Sequence, residues 1–273
     1  VSGGQQADST RHEATASSLA WLVAGDRKNP AVLMLHGATM DMTMFEPQVR
    51  ALQNRFHVLS VDLPGHGQSA DIEFSMQGCV DGVLDIVDRE EIQSCHLVGQ
   101  SMGGIVCQLL ARQRPGLALS LTLIGSVPLT APLYRLKGPA FWLVKQLIRI
   151  APLSLNRRLV ARSAGAMPQT RAYIETCLGR LDRWALTAIV GEIGRTLKSG
   201  PYPVPDSSVL IIYGTRDLIA LGLNRLLARR WASALDVGTH RIAKASHNAN
   251  MDQPDAVNGL ILEHLEGRTK TAT

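Results

Sequence analysis

Each thing the chain lacks closes off a class of function. Among its 273 residues no apolar run approaches the roughly 20 needed to span a bilayer. The nearest stretch, residues 141–150, is broken by Lys145, Gln146 and Arg149 and reads as an amphipathic helix. Residues 1–16 are polar, without a signal peptide's apolar region. The chain begins at Val1 rather than Met, so a trimmed start or a removed leader stays open. Only four cysteines occur, Cys79, Cys95, Cys107 and Cys177, and none has CxxC or other metal-ligand spacing. Three fall in apolar-periodic segments, so buried free thiols in a reducing, cytoplasmic setting are expected rather than a disulfide framework. Aromatics make up 4% of the chain and do not interleave with basic residues, which leaves no stacking platform for nucleic acid.

Acids are scarce between residues 130 and 200. Twelve Lys/Arg face only Glu175, Asp182 and Glu192 there, so this stretch carries +9 while the rest of the +5 chain carries −4. Two readings stand: a solvated helical surface, or an electropositive region that attracts an anionic substrate or an acidic partner protein.

What is present is an alternation. Short apolar runs at 31–35, 56–62, 95–99, 119–124, 209–213 and 238–242 alternate with helical patterns, which predicts a mainly parallel sheet covered by helices. Residues 19–24 predict an antiparallel strand ahead of them. Met76, Val80, Val83, Leu84 and Val87 recur at helical spacing across 75–89, and 102–114 reads as a helix stopped by Pro115 and Gly116. After Ile124 the alternation breaks. Only helical stretches follow, punctuated by Pro139, Pro152, Pro168 and Gly179, until "GPYPVPDSS" acts as a stiff return linker. The expected organisation is a core in two parts, residues 1–127 and 201–273, around a helical insertion at 128–200.

The chemistry centres on "HLVGQSMGG", where Gly99-Gln100-Ser101-Met102-Gly103 fits G-x-S-x-G between a strand and a helix. On so sharp a bend, bulky side chains two residues either side of the serine would collide with it, and the hydroxyl is left exposed above a helix N-terminus. A serine hydroxyl needs a base, and the base an orienting carboxylate. Asp217 follows the strand "VLIIYG", and His247 follows the strand near "GTHRIA", so both sit in strand-end loops. Asp217 could equally cap a following helix, and His247 could be a hydrogen-bonded loop histidine; the serine elbow between strand and helix favours chemistry. "HGA" at 36–38 offers the Ala38 amide to pair with that of Met102 as two donors to one developing oxyanion. His36 reads as structural and His66, in "DLPGHGQS", as loop-shaping.

"HGA", "DLPGHGQS", "GQSMGG", "GTRD" at 214–217 and "SHNANMDQP" at 246–254, in that order, resemble the α/β-hydrolase superfamily from about Leu19 to Leu265. The resemblance implies an α/β fold with a mostly parallel central sheet and an inserted helical cap at 128–200. It also implies Ser101 as nucleophile, Asp217 as acid, His247 as base, and Ala38 and Met102 as oxyanion-hole amides. Ser246 stands where the family often has Gly, and Asp252 where Glu is usual. Haloalkane dehalogenases and epoxide hydrolases of this fold carry Asp at the elbow, so Ser101 argues against both. Carbon–carbon bond hydrolases of meta-cleavage products share an S-M-G-G elbow but tend to have Asn before the serine and Trp after the histidine, where Gln100 and Asn248 stand here.

The function expected is a serine hydrolase of a small-molecule carboxylic ester, thioester or lactone, acting through an acyl-enzyme. The substrate is anionic or carrier-bound if the basic stretch serves it. The alternatives are a meta-cleavage-type hydrolase and a hydrolase-derived small-molecule receptor. No metal, organic cofactor, nucleic-acid partner or membrane partner is expected. Gly37, Gln100, Phe141, Trp142, Met167 and Trp184 are the candidate pocket residues, with Leu133 and Leu143 beside them.

Overall fold

A strand buried on both faces of a sheet reads as a largely apolar run, and four segments of this chain behave that way. The computed structural model describes residues 9–15, 18–126, 129, 138–199, 207–217, 219 and 238–269. Its strands are β1 (Ser9–His12), β2 (Trp21–Ala24), β3 (Ala31–Leu35), β4 (His57–Val61), β5 (Cys95–Gln100), β6 (Ala118–Ile124), β7 (Ser208–Gly214) and β8 (Gly238–Ile242). They form one sheet in the order β1-β2-β4-β3-β5-β6-β7-β8. The first two joins, β1 to β2 and β2 to β4, are antiparallel. Every other join is parallel. All residues of β3, β4 and β5, and all of β7 after Ser208, are buried.

Strand β1 is not foreseen by the hydrophobic pattern. Its first three residues are exposed, so an edge strand of this kind has no apolar face to read. It is held by its ladder to β2 and by the His12 ring stacked on Trp21 with centroids 4.3 Å apart.

The helices are α1 (Glu46–Leu52), α2 (Met76–Arg89), α3 (Met102–Gln113), α4 (Gly138–Ile150), α5 (Leu153–Ala164), α6 (Pro168–Gly179), α7 (Arg183–Ser199), α8 (Ala249–Asp252) and α9 (Pro254–Thr269). Ser75 caps α2 by accepting from the Gly78 amide at 2.9 Å, and Pro168 starts α6, where a missing N–H costs nothing. Between β6 and β7 the described residues hold helices alone, α4 to α7. Leu133 and most of the return linker lie outside the described residues, as do the side chains of Phe141 and Leu143. No helix among the described residues is long and apolar enough to cross a membrane.

All four cysteines are free and buried. Burial pushes the Cys79, Cys95 and Cys177 thiols up to about 12, so none of these supplies a thiolate near neutrality.

The sheet also fixes where a site can form. The chain leaves β3 for β4 on one side and returns to β5 on the other, which opens a crevice at the carboxyl ends of β3 and β5. Leu35 and Gly99 are register partners there, so residues 36–38 and 100–102 emerge side by side.

Candidate active site

Ser101 sits between β5 and α3 with φ 50° and ψ −110°, a conformation that costs a side chain about 1–3 kcal/mol and persists only where its surroundings enforce it. The enforcement is visible on both sides. The Ser101 amide donates to the Ile124 carbonyl at 2.8 Å, and its own carbonyl accepts from Ser126 Oγ at 2.7 Å. A Cβ on Gly99 would lie 2.5 Å from the Gly103 carbonyl, and one on Gly103 would lie 1.9 Å from the Leu35 carbonyl oxygen. The bend therefore needs glycine at both positions because backbone meets backbone there.

Two later loops meet this serine. His247 Nε2 lies 2.9 Å from Ser101 Oγ, and His247 Nδ1 lies 2.9 Å from Asp217 Oδ2. An ionised Asp217 can only accept, so Nδ1 carries the ring proton and Nε2 is left to accept from the serine hydroxyl. Asp217 is 1% exposed and His247 6%. The second Asp217 oxygen accepts from the Ile219 amide at 2.9 Å, so the local turn role and the contact to His247 coexist.

The His247 loop is held on both flanks by the inserted helices. Ser246 Oγ donates to the Ser163 carbonyl at 2.7 Å, and the Asn248 amide donates to the Ala164 carbonyl at 3.0 Å. Asp252, buried in α8, accepts from the Ala166, Met167 and Ser246 amides at 2.8 to 3.0 Å. One carboxylate thus joins the histidine loop to the start of α6. Its position in "SHNANMDQP" marks it in the sequence; its backbone partners do not show there.

Gln100 has a defined task. Its side chain is buried, its amide donates to the His247 carbonyl at 3.1 Å, and its Oε1 would stand 1.9 Å from a Cβ on Gly37. Gly37 leaves room for that side chain and lies against Ser101. Both residues border the serine, and Gln100 acts by fastening the histidine loop. The Met102 amide opens α3, where no intrahelical acceptor exists, and half-buried Ala38 follows Gly37 on the neighbouring strand end.

Two histidines brace the loop that carries Ala38. His36 Nδ1 donates to the Gly37 carbonyl at 2.8 Å, and its Nε2 accepts from the Leu63 amide at 3.0 Å. His66 Nδ1 donates to the Pro64 carbonyl at 2.8 Å, and its Nε2 accepts from the Thr39 amide at 3.0 Å. Thr39 itself has φ 70°, in the left-handed region. Desolvation lowers His36 to about 4 and His66 to about 3, so both rings stay neutral acceptors near pH 7. The structural and loop-shaping roles expected of them now have defined partners.

Asp41, at the end of the same loop, ties it to α6. Its carboxylate accepts from Tyr173 OH at 2.8 Å and from Arg180 Nη1 at 2.8 Å. Desolvation would raise this carboxyl, but hydrogen bonds from Thr43 and Tyr173 hold it below its ordinary value.

The remaining pocket candidates fare differently. Met167 is half-buried at the start of α6. Trp142 and Trp184 are 63% and 77% exposed, so they stand open to solvent rather than enclosed as pocket walls. A large apolar residue type by itself shows neither burial nor what the side chain meets. Ser126, which steadies the serine turn, escaped the sequence reading; a serine just past the β6 end was the only signal.

With this geometry in view, comparison with known proteins is direct. Residues 32–260 match the model of the alpha/beta hydrolase family, and the chain belongs to that family. It is 30% identical over 260 residues to a pimeloyl-[acyl-carrier protein] methyl ester esterase of Methylococcus capsulatus, covering 87% of this chain and 95% of that protein. It is 34% identical over 105 residues to 3-oxoadipate enol-lactonase 1 of Acinetobacter baylyi, 38% of this chain and 40% of that one. A solved 2-hydroxy-6-oxo-6-phenylhexa-2,4-dienoate hydrolase from a Rhodococcus species superposes with TM-score 0.73 at 23% identity, covering 96% of this chain and 99% of that chain. That last likeness concerns the fold.

Proposed function

We propose that the protein is a serine hydrolase that cleaves a small-molecule carboxylic ester, thioester or lactone through an acyl-enzyme. The observation carrying this reading is the unbroken hydrogen-bond chain Ser101 Oγ–His247 Nε2 and His247 Nδ1–Asp217 Oδ2, each link 2.9 Å. His247 takes the Ser101 proton as Oγ attacks the carbonyl carbon. The oxyanion is received by the Ala38 and Met102 amides. His247, steadied as imidazolium by Asp217, returns the proton to the leaving oxygen or sulfur. Water then attacks the acyl-enzyme with His247 again as base, and Ser101 is released with the acid product. The fixed tautomer supports these roles, because Nε2 is the nitrogen free to accept.

In this reading residues 128–200 form a cap, tied to the His247 loop and to Asp252 by the end of α5 and the turn into α6. The basic stretch enters less directly than its charge suggests. Arg157 donates to the Gly179 and Leu181 carbonyls, Arg171 to Gly165 and Ala166, and Arg183 to Ile148 and Ala151. These three arginines satisfy carbonyls at helix ends, which knits the cap together. The full-length relative named for a methyl ester on an acyl-carrier protein supports an ester substrate.

The test is turnover of p-nitrophenyl esters of graded chain length by wild type and Ser101→Ala. Multiple turnover by the wild type, with kcat/KM lower by at least about 10^3-fold in the variant, is expected. Full activity in Ser101→Ala would overturn the reading, and binding without multiple turnover would point to the receptor alternative.

A further inference from the structure

The exposed large hydrophobic side chains of the described residues are Trp142, Leu147, Ile150, Leu155, Leu159 and Trp184, and all six lie on α4, α5 and α7. Elsewhere among the described residues such side chains are buried or half-buried. Three of them share a corner. Arg183 donates to the Ile148 and Ala151 carbonyls, and Asn156 Nδ2 donates to the Ile148 carbonyl at 3.4 Å. The end of α4, the start of α5 and the start of α7 therefore meet, and Ile150, Leu155 and Trp184 stand within two residues of those bonds. Ile150 and Trp184 are 76% and 77% exposed there.

The cations follow the same surface. Along α5, Leu155, Arg158, Leu159 and Arg162 recur at i, i+3, i+4 and i+7, and all four are exposed. Exposed Arg149 stands beside Ile150. The arginines that tie helix ends together leave these three pointing to solvent among the apolar side chains. Over residues 130–200 the balance is +9.

We propose that this outer face of the inserted helices docks on an anionic lipid surface. Projecting indole and branched aliphatic side chains enter the headgroup boundary, and Arg149, Arg158 and Arg162 pair with lipid phosphates. A second copy of the chain is disfavoured as occupant, because it would bring an equally cationic face against this one. An acidic protein would match the charge, but side chains this far out of the surface need receiving pockets on a folded partner, whereas a fluid interface accepts them anywhere. Docking of this kind requires no spanning helix, so it revises the expectation of no membrane partner drawn from the missing apolar run. It is also independent of the hydrolytic role of Ser101.

The test is co-sedimentation of the full chain with phosphatidylcholine vesicles with and without phosphatidylglycerol, read together with tryptophan emission. The protein is expected to pellet with the anionic vesicles, to shift its emission to the blue, and to be released towards about 0.5 M salt. Arg158→Gln and Arg162→Gln should each weaken partition about fivefold. Trp184→Ser and Ile150→Ser should each weaken it about tenfold. Unfolding midpoints should be unchanged in all four, since the replaced side chains are exposed. No pelleting with anionic vesicles at low salt overturns the proposal, as does equal binding to phosphatidylcholine alone or binding indifferent to Trp184→Ser. Concentration-dependent self-association abolished by Trp184→Ser, or capture of a purified acidic protein without vesicle binding, would assign the face to another occupant and overturn it as well.

Discussion

The rim of the sheet and the inserted helices spend their polar groups in opposite ways. At the carboxyl ends of β4, β5 and β7, buried side chains such as Asp62, His66, Gln100 and Asp217 are fixed by backbone amides and carbonyls. On the outer side of the insertion, large apolar and cationic side chains are left to solvent. Among the described residues, side-chain hydrogen bonds join the two regions at α5, at α6 and at the residues flanking α6: Asp41 with Tyr173 and Arg180, Ser246 with Ser163, Asn248 with Ala164, and Asp252 with Ala166 and Met167. A rigid rim can hold a strained serine, while the insertion is free to vary its outer face without disturbing it.

The sharpest way to break the rim is to fill the bend. Gly103→Ala places a Cβ 1.9 Å from the Leu35 carbonyl oxygen, where only backbone can yield. A loss of more than about 3 kcal/mol is expected in urea unfolding, with activity lost in parallel. Cutting the join comes next. Asp252→Ala leaves the Ala166, Met167 and Ser246 amides without their acceptor, at a cost of roughly 2–4 kcal/mol. Since Asp252 only positions the His247 loop, kcat should fall while the pH midpoint of kcat/KM stays put, and Asp252→Glu should restore part of the rate.

The smallest effect concerns pH. His36 and His66 are lowered from 6.5 to about 4 and about 3, so the unfolded chain takes up protons first. Their contribution is whole above pH 6.5 and drains as pH falls towards 4 and 3. Asp62 works the other way: burial raises it from 3.8 to about 6, so its folded form is protonated first and offsets part of the loss between those values. His66→Gln should flatten the stability profile by about 2 kcal/mol between pH 7 and pH 5. An unchanged slope would show that the ring does not stay neutral as the brace requires.

Much of this was legible because the sheet is built from apolar runs with clear ends. The bounds of β3 and β8 match the sequence expectation, and the serine, aspartate and histidine were placed by the strand ends they follow. What stayed hidden acts through the backbone. Gln100, Ser126 and Asp252 bond to carbonyls and amides of distant loops, and a carbonyl leaves no mark in a sequence. Trp142 and Trp184 are exposed, and an indole's residue type does not show in a sequence whether it is packed or left to solvent.

The most direct measurement is intact-mass and peptide mapping after treatment with a fluorophosphonate probe, which reports an activated serine whatever the natural substrate. A single adduct on Ser101 is predicted in the wild type, absent in Ser101→Ala and slowed by orders of magnitude in His247→Ala. No adduct on Ser101, or an equal rate without His247, would contradict the claim that this serine is presented and activated.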